Sequence, residues 1–142
     1  MLDNRMNVYY LRSALKEDDG SCSIVSQREC VKQFLNAHPE LGSDFKEFLD
    51  VGYSGTNMER PSVQQLLKLV EQGQIRMIVV SDLSRFTRNH IEAGHYLESF
   101  FPANGVRFIS INNQYDSSDE NMTKTDLNIR DMISSTRKKY GR

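Results

Sequence analysis

The chain has 142 residues and a mass of 16.4 kDa, with 38% hydrophobic and 26% charged residues, the size and balance of one globular domain with a single core. A net charge of -1 excludes a wholly basic nucleic-acid binder, and no run of about 18 apolar residues exists to form a membrane span. Met1-Leu2-Asp3-Asn4-Arg5 leads into no apolar signal region, so a cytoplasmic protein is expected. The two cysteines, Cys22 and Cys30, lie in no Cys/His cluster of zinc spacing and are expected to be reduced. The charge is uneven. Lys124 to Arg142 holds six basic residues and two acids, which leaves -5 on the remainder. Such a tail suits a polyanion, or is a solvated helix end.

Residues 7–12 (NVYYLR) predict a short buried strand, followed by an acidic loop over 16–21. Ile24, Val31 and Phe34 share one face of a helix predicted over 23–37, and Gln27 lies on the same stripe. Residues 45–49 suit a second strand, and 50–61 form a long loop with Gly52, Gly55 and Asn57. Arg60-Pro61-Ser62 opens the next helix with proline in its first turn. Val63, Leu66, Leu67 and Val70 give its apolar stripe, and Gly73 a stop. The unbroken apolar run at 76–81 marks a strand covered on both faces. Asn89, with Glu92 three residues later, caps a helix expected to run to about Phe101, where Pro102-Ala103-Asn104-Gly105 breaks it. Residues 106–111 predict another strand, 112–123 a polar and mobile stretch, and 124–139 a weak helix.

This alternation implies an α/β fold: a mostly parallel sheet of about four to five strands with helices on both faces, a three-layer αβα arrangement. In such sheets ligands bind beyond the carboxyl ends of the strands. Four segments lie there: Arg12–Ala14, Asp50–Arg60, Ser84–Arg88 and Asn112–Asp116.

Arg12 shares a strand face with Tyr10 and Ala14, while Ser13 faces the other way. A buried strand-end arginine demands an anion, either a ligand or an internal partner such as Asp50. Arg85 and Arg88, three apart before a helix start, suit phosphate, since guanidinium forks match it bidentately. They suit a solvated turn as well. Gly52 and Gly55 permit close backbone approach beside Ser54, or simply a flexible crossover. An inward-facing Gln27 needs hydrogen-bond partners, structural ones or groups at the end of the first strand. Phe86 is expected to pack in the core. No phosphate-binding glycine motif occurs, acids do not gather as in a two-metal nuclease, and His38, His90 and His95 lack ligand spacing. Arginines and serines without a metal pattern point to phosphodiester chemistry through a serine ester.

Together these segments resemble the catalytic domain of the serine recombinases, the resolvase/invertase family, and are most similar to its large members, the integrases and transposases of phages and conjugative elements. Y-L-R-S-A (Tyr10–Ala14) corresponds to Y-x-R-x-S, and S-I-V-S-Q-R-E (Ser23–Glu29) is similar to S-I-x-x-Q. D-V-G-Y-S-G-T-N-M-E-R-P (Asp50–Pro61) matches D-x-G-x-S-G with R-P. L-S-R-F-T-R-N (Leu83–Asn89) matches L-S-R-x-x-R-N, and Phe108–Ser117 matches the next strand and its exit loop. The five boxes occur in one order over about residues 7–120.

The resemblance implies attack by a serine hydroxyl on a DNA phosphodiester, a 5′-phosphoseryl link, strand exchange in a synaptic tetramer assembled from dimers, and reversal. No cofactor is implied. By position, Arg12, Arg85 and Arg88 would bind the scissile phosphate, Ser54 and Arg60 complete the pocket, and Gln27 and Asp50 orient it. Ser84 fits the large members, where small resolvases often carry an acid. The nucleophile position falls on Ala14. Either the hydroxyl was removed from this chain by alteration, the favoured explanation, or the homologue has lost catalysis. Residues 1–122 are read as the resolvase-type catalytic domain, and 123–142 as the start of a helical linker toward C-terminal DNA-binding regions. The expected partners are double-stranded DNA attachment sites and further copies of the chain, with no membrane. Two other readings stay open: an inactive homologue serving as a DNA-binding and dimerisation module, and a small phosphoryl-transfer or phosphate-sensing domain unrelated to DNA.

Overall fold

The first strand, β1, spans Met6–Ser13 and buries every residue from Asn7 to Arg12. Its side chains alternate between two cores, Val8 and Tyr10 entering one, Tyr9 and Leu11 the other. A strand apolar on both sides must be covered on both sides. Helix α1 (Ile24–Ala37) covers one face, packing Val31, Ile24, Phe34 and Leu35 against Tyr9 and Leu11. The chain then forms β2 (Phe45–Val51), parallel to β1. Helix α2 (Pro61–Glu71) crosses the opposite face and buries Val63, Leu66, Leu67 and Val70. Pro61 opens it because an amide there would have no helical partner. Gly73 follows with φ 72°, a left-handed stop that glycine adopts without steric cost.

Strand β3 (Ile75–Val80) pairs in parallel with the other edge of β1. Two short helices follow, α3 (Leu83–Phe86) and α4 (His90–His95). A π-type turn over Tyr96–Phe100 and a last helical turn, α5 (Phe101–Ala103), lead to β4 (Arg107–Ser110), parallel to β3. Finally β5 (Tyr115–Asp116) lies antiparallel to β4. The sheet order is β2-β1-β3-β4-β5, a five-stranded, mostly parallel α/β sheet with helices on both faces. Successive crossovers from β1 and β2 run over opposite faces. The strand order therefore reverses between β1 and β3, which opens a crevice at their carboxyl ends. The computed structural model describes residues 4–13, 24–54 and 58–118. Ala14, the loop expected at 16–21 and the helix expected at 124–139 lie outside them. No helix among the described residues is long and apolar enough to cross a membrane.

Three local expectations change. Residues 112–118 are not simply polar and mobile. They turn back into β5, bury Tyr115 and tie Asp116 to Arg107 with bonds of 2.9 and 2.6 Å. A two-residue strand shows no periodicity to read. The helix capped by Asn89 reaches Phe101 as expected, but it is π-wound over Tyr96–Phe100 rather than α-helical throughout. Pro102 has no amide to donate, and its ring crowds the carbonyl four residues back, so the preceding turn widens. The segment read as a turn at 83–88 contains the single-turn helix α3.

Candidate functional site

Arg12 emerges at the end of β1 and is only 2% exposed. Its Nε donates to the Arg85 carbonyl at 3.0 Å, Nη1 to the Tyr53 carbonyl at 2.9 Å and Nη2 to the Ser84 carbonyl at 3.0 Å. An internal salt bridge to Asp50 had been one expectation. Asp50 instead accepts from the Tyr10 hydroxyl at 2.7 Å and from the amides of Ser62 and Val63, at 2.9 and 3.0 Å, at the start of α2. Carbonyls solvate the Arg12 guanidinium without supplying a formal counter-charge.

Arg60 is 1% exposed and held in the same manner. Its Nη1 donates to the Tyr10 hydroxyl at 2.8 Å and the Arg85 carbonyl at 3.4 Å, and Nη2 to the Phe86 carbonyl and the Met58 sulfur. The carbonyls of Ser84, Arg85 and Phe86, at the carboxyl end of α3, thus serve two arginines. That end of a helix carries partial negative charge and free acceptors. Arg85 sends Nη1 to the Arg12 carbonyl at 3.4 Å, and both Arg85 and Arg88 stay half-buried. The Arg12 guanidinium is pushed down to about 10, first by burial and then by the charges of Arg60, Arg85 and Arg88. The four cations therefore share one electrostatic environment.

Gln27 reaches this end of the sheet from α1. Its Oε1 accepts the Arg12 amide at 3.1 Å, and its Nε2 donates to the Arg12 carbonyl at 2.8 Å. The pairing of β1 with β3 ends at Tyr9 and Val79, so the amide substitutes for the absent strand at Arg12. Ser84 is buried and Ser54 exposed. The Asn112–Asp116 segment reaches the site indirectly: Asn113 Oδ1 accepts the Leu83 amide at 2.9 Å and so caps α3. Asn89 Oδ1 accepts the amides of Ile91 and Glu92, whereas Glu92 takes the Thr87 hydroxyl at 3.2 Å instead of closing a reciprocal box. Phe86 packs among Tyr96, Phe101 and Phe108.

The sequence pattern marks Gly52 for close backbone approach but gives Tyr53 no role. Tyr53 acts through its carbonyl. Gly52, at φ 85°, turns the chain so that its amide and that of Tyr53 meet the Ser13 carbonyl at 2.7 and 3.1 Å. The glycine in D-V-G-Y-S was the available signal, but side-chain chemistry says nothing about a carbonyl. Among the described residues no three His, Cys, Asp or Glu side chains gather as a metal site. The arrangement is a polarised cationic crevice, two guanidiniums deep inside and two nearer solvent, suited to a phosphate group.

Comparison with known proteins agrees with this architecture. The N-terminal catalytic domain of TP901-1 integrase superposes with a TM-score of 0.75 at 22% identity, covering 94% of this chain and 95% of that one. A resolvase family site-specific recombinase from Streptococcus pneumoniae gives 0.64 at 22% identity, covering 94% and 87%. The C-terminal catalytic domain of ISC1926 TnpA, an IS607-like serine recombinase, gives 0.59 at 24% identity, covering 75% and 67%. No curated protein matches significantly in sequence. The family model described as the resolvase N-terminal domain matches residues 7–140. With that match spanning nearly the whole chain, the protein belongs to the resolvase N-terminal domain family.

Proposed function

We propose that this chain is the catalytic domain of a site-specific DNA recombinase that cleaves and exchanges strands through a 5′-phosphoserine intermediate. The observation that carries the reading is the convergence of Arg12, Arg60, Arg85 and Arg88 at the crevice between β1 and β3. In this reading Arg85 and Arg88 take the scissile phosphate, and Arg12 and Arg60 supply positive potential from behind. Gln27 and Asp50 hold the backbone at Arg12 and at the start of α2, while Ser54 and Ser84 border the pocket. Residue 14, next to Ser13, carries the nucleophile position. Removing one preorganised donor of this kind costs ~100–1,000-fold in rate. Residues 1–122 form the catalytic unit, and 123–142 begin a linker toward DNA-binding regions. Its partners are double-stranded attachment sites and further copies of the chain, which assemble as a dimer and then a synaptic tetramer.

Alanine at position 14 supports a second reading, an inactive relative that occupies DNA and dimerises. One experiment separates them. Ala14→Ser is incubated with duplex DNA carrying the cognate site, and denaturant-resistant protein–DNA adducts are counted. Adducts that vanish on adding Arg88→Ala support the recombinase. A folded Ala14→Ser chain that binds the duplex without forming adducts supports the inactive module. Adducts from the unsubstituted chain, abolished by Ser13→Ala, would move the nucleophile to Ser13.

A further inference from the structure

We infer that the Tyr53 ring is a nucleobase platform beside the phosphate pocket: it takes the flat face of the base attached to the bound phosphodiester, so that the site holds a nucleotide rather than a bare phosphate. The inference rests on the pocket proposed above and adds a base subsite to it. The main chain of Tyr53 is fixed on two sides. Its amide meets the Ser13 carbonyl at 3.1 Å, the Gly52 amide meets the same oxygen at 2.7 Å, and its own carbonyl accepts from Arg12 Nη1 at 2.9 Å. These bonds hold the residue at the end of β1, against the arginine whose charge interacts with those of Arg60, Arg85 and Arg88. The ring takes no part in them. It belongs to neither core and stays 38% exposed. Exposed apolar groups scattered singly mean little. Here they are not scattered. Val25, Val51, Tyr53 and Ile91 are the exposed large hydrophobics among the described residues, and all four lie at the carboxyl end of the sheet. Val25 precedes Gln27 by two residues in the first turn of α1, Val51 ends β2, and Ile91 follows Arg88 by three in the first turn of α4. Cations bordered by apolar and aromatic surface match a nucleotide, an anion joined to a flat ring, better than a free anion. Of the four, only Tyr53 presents a π-face, on which any base stacks. Its anchored backbone lowers the ordering cost of that contact. A base reaches it in a single strand or at a strand break, where it can leave the stack of its neighbours.

The test uses the whole chain and two probes that share one phosphodiester: the dinucleotide thymidylyl-thymidine and its abasic counterpart, which lacks both bases. Nitrogen–proton NMR of the arginine Nε groups reports the phosphate, and both probes move the Arg85 and Arg88 signals. The dinucleotide binds about 10-fold more tightly than the abasic probe. The anchors of residue 53 are main-chain atoms, so Tyr53→Ala removes the ring and keeps them. It abolishes the preference for the dinucleotide, whereas Tyr53→Phe retains it. The chain has no tryptophan, so Tyr53→Trp adds a single emitter, quenched by the dinucleotide and not by the abasic probe. That variant carries the test if Tyr53→Ala does not fold. A preference that survives Tyr53→Ala, no preference in the unsubstituted chain, or equal emission with both probes overturns the platform while the pocket stands. Arg85 and Arg88 signals that ignore both probes overturn the pocket itself, and the platform with it.

Discussion

Arginine is used in two ways in this molecule. On the flanks of the sheet, Arg28 meets Glu47 at 2.7 and 2.9 Å and Arg107 meets Asp116 at 2.9 and 2.6 Å, each a fork facing a carboxylate across partly open surface. At the carboxyl ends of β1 and β3, Arg12 and Arg60 are almost wholly buried and bonded chiefly to carbonyls. The flank pairs cancel their own charge and fasten α1 to β2 and β4 to β5. The interior pair is met by carbonyls and by the Tyr10 hydroxyl in place of water, at the cost of desolvation. A chain gains little by burying cations unless their potential acts on something. The difference is what the function proposed above would use, with the phosphate at the interior cluster rather than at the flanks.

The comparison can be broken by substitution, with the largest effect at Arg12. Arg12→Lys keeps the charge but not the fork. One ammonium cannot satisfy three carbonyls spread over Tyr53, Ser84 and Arg85, so unfolding free energy falls by about 3 kcal/mol. Urea denaturation at constant slope measures this, and a loss under about 1 kcal/mol would mean that the carbonyl collar is slack. Next comes Gln27→Leu, which fits the apolar stripe of α1 but strips the Arg12 backbone of its brace. It should cost about 2 kcal/mol and speed hydrogen exchange at the Arg12 amide. An unprotected Arg12 amide in the parent chain would refute the brace.

The smallest effect belongs to the flank. Arg28→Ala should cost less than about 1 kcal/mol at neutral pH, because the pair is partly solvated. The hydrogen bond from Arg28 holds the Glu47 carboxyl below its ordinary 4.5. A carboxylate depressed on folding stabilises above its unfolded value, and that contribution is lost as pH falls through the folded one. Acid unfolding of the parent should therefore include a loss beginning near pH 4.5 that Arg28→Ala flattens. Equal costs for Arg28→Ala and Arg12→Lys would erase the distinction between the two regions.

Much of the scaffold could be read directly. The continuously buried run NVYYLR, the Val63–Val70 stripe and the apolar run at 76–81 each report a local geometry that burial then enforces. The short elements could not be read this way. The π turn before Pro102, the single turn at 83–86 and the two-residue β5 depend on neighbours far away in the chain.

Sequence by itself determined the order of the four parallel strands and of the longer helices between them, the two-faced core and the set of arginines past the strand ends, because periodicity and residue chemistry are local properties. Tertiary structure alone decided that Arg12 would rest on the carbonyls of residues 53, 84 and 85 rather than on Asp50. It also decided that Tyr10 would bridge Asp50 and Arg60. Hydrogen bonds across 40 to 73 residues join groups whose meeting is fixed by how the crossovers wind, and a backbone carbonyl has no letter in the sequence.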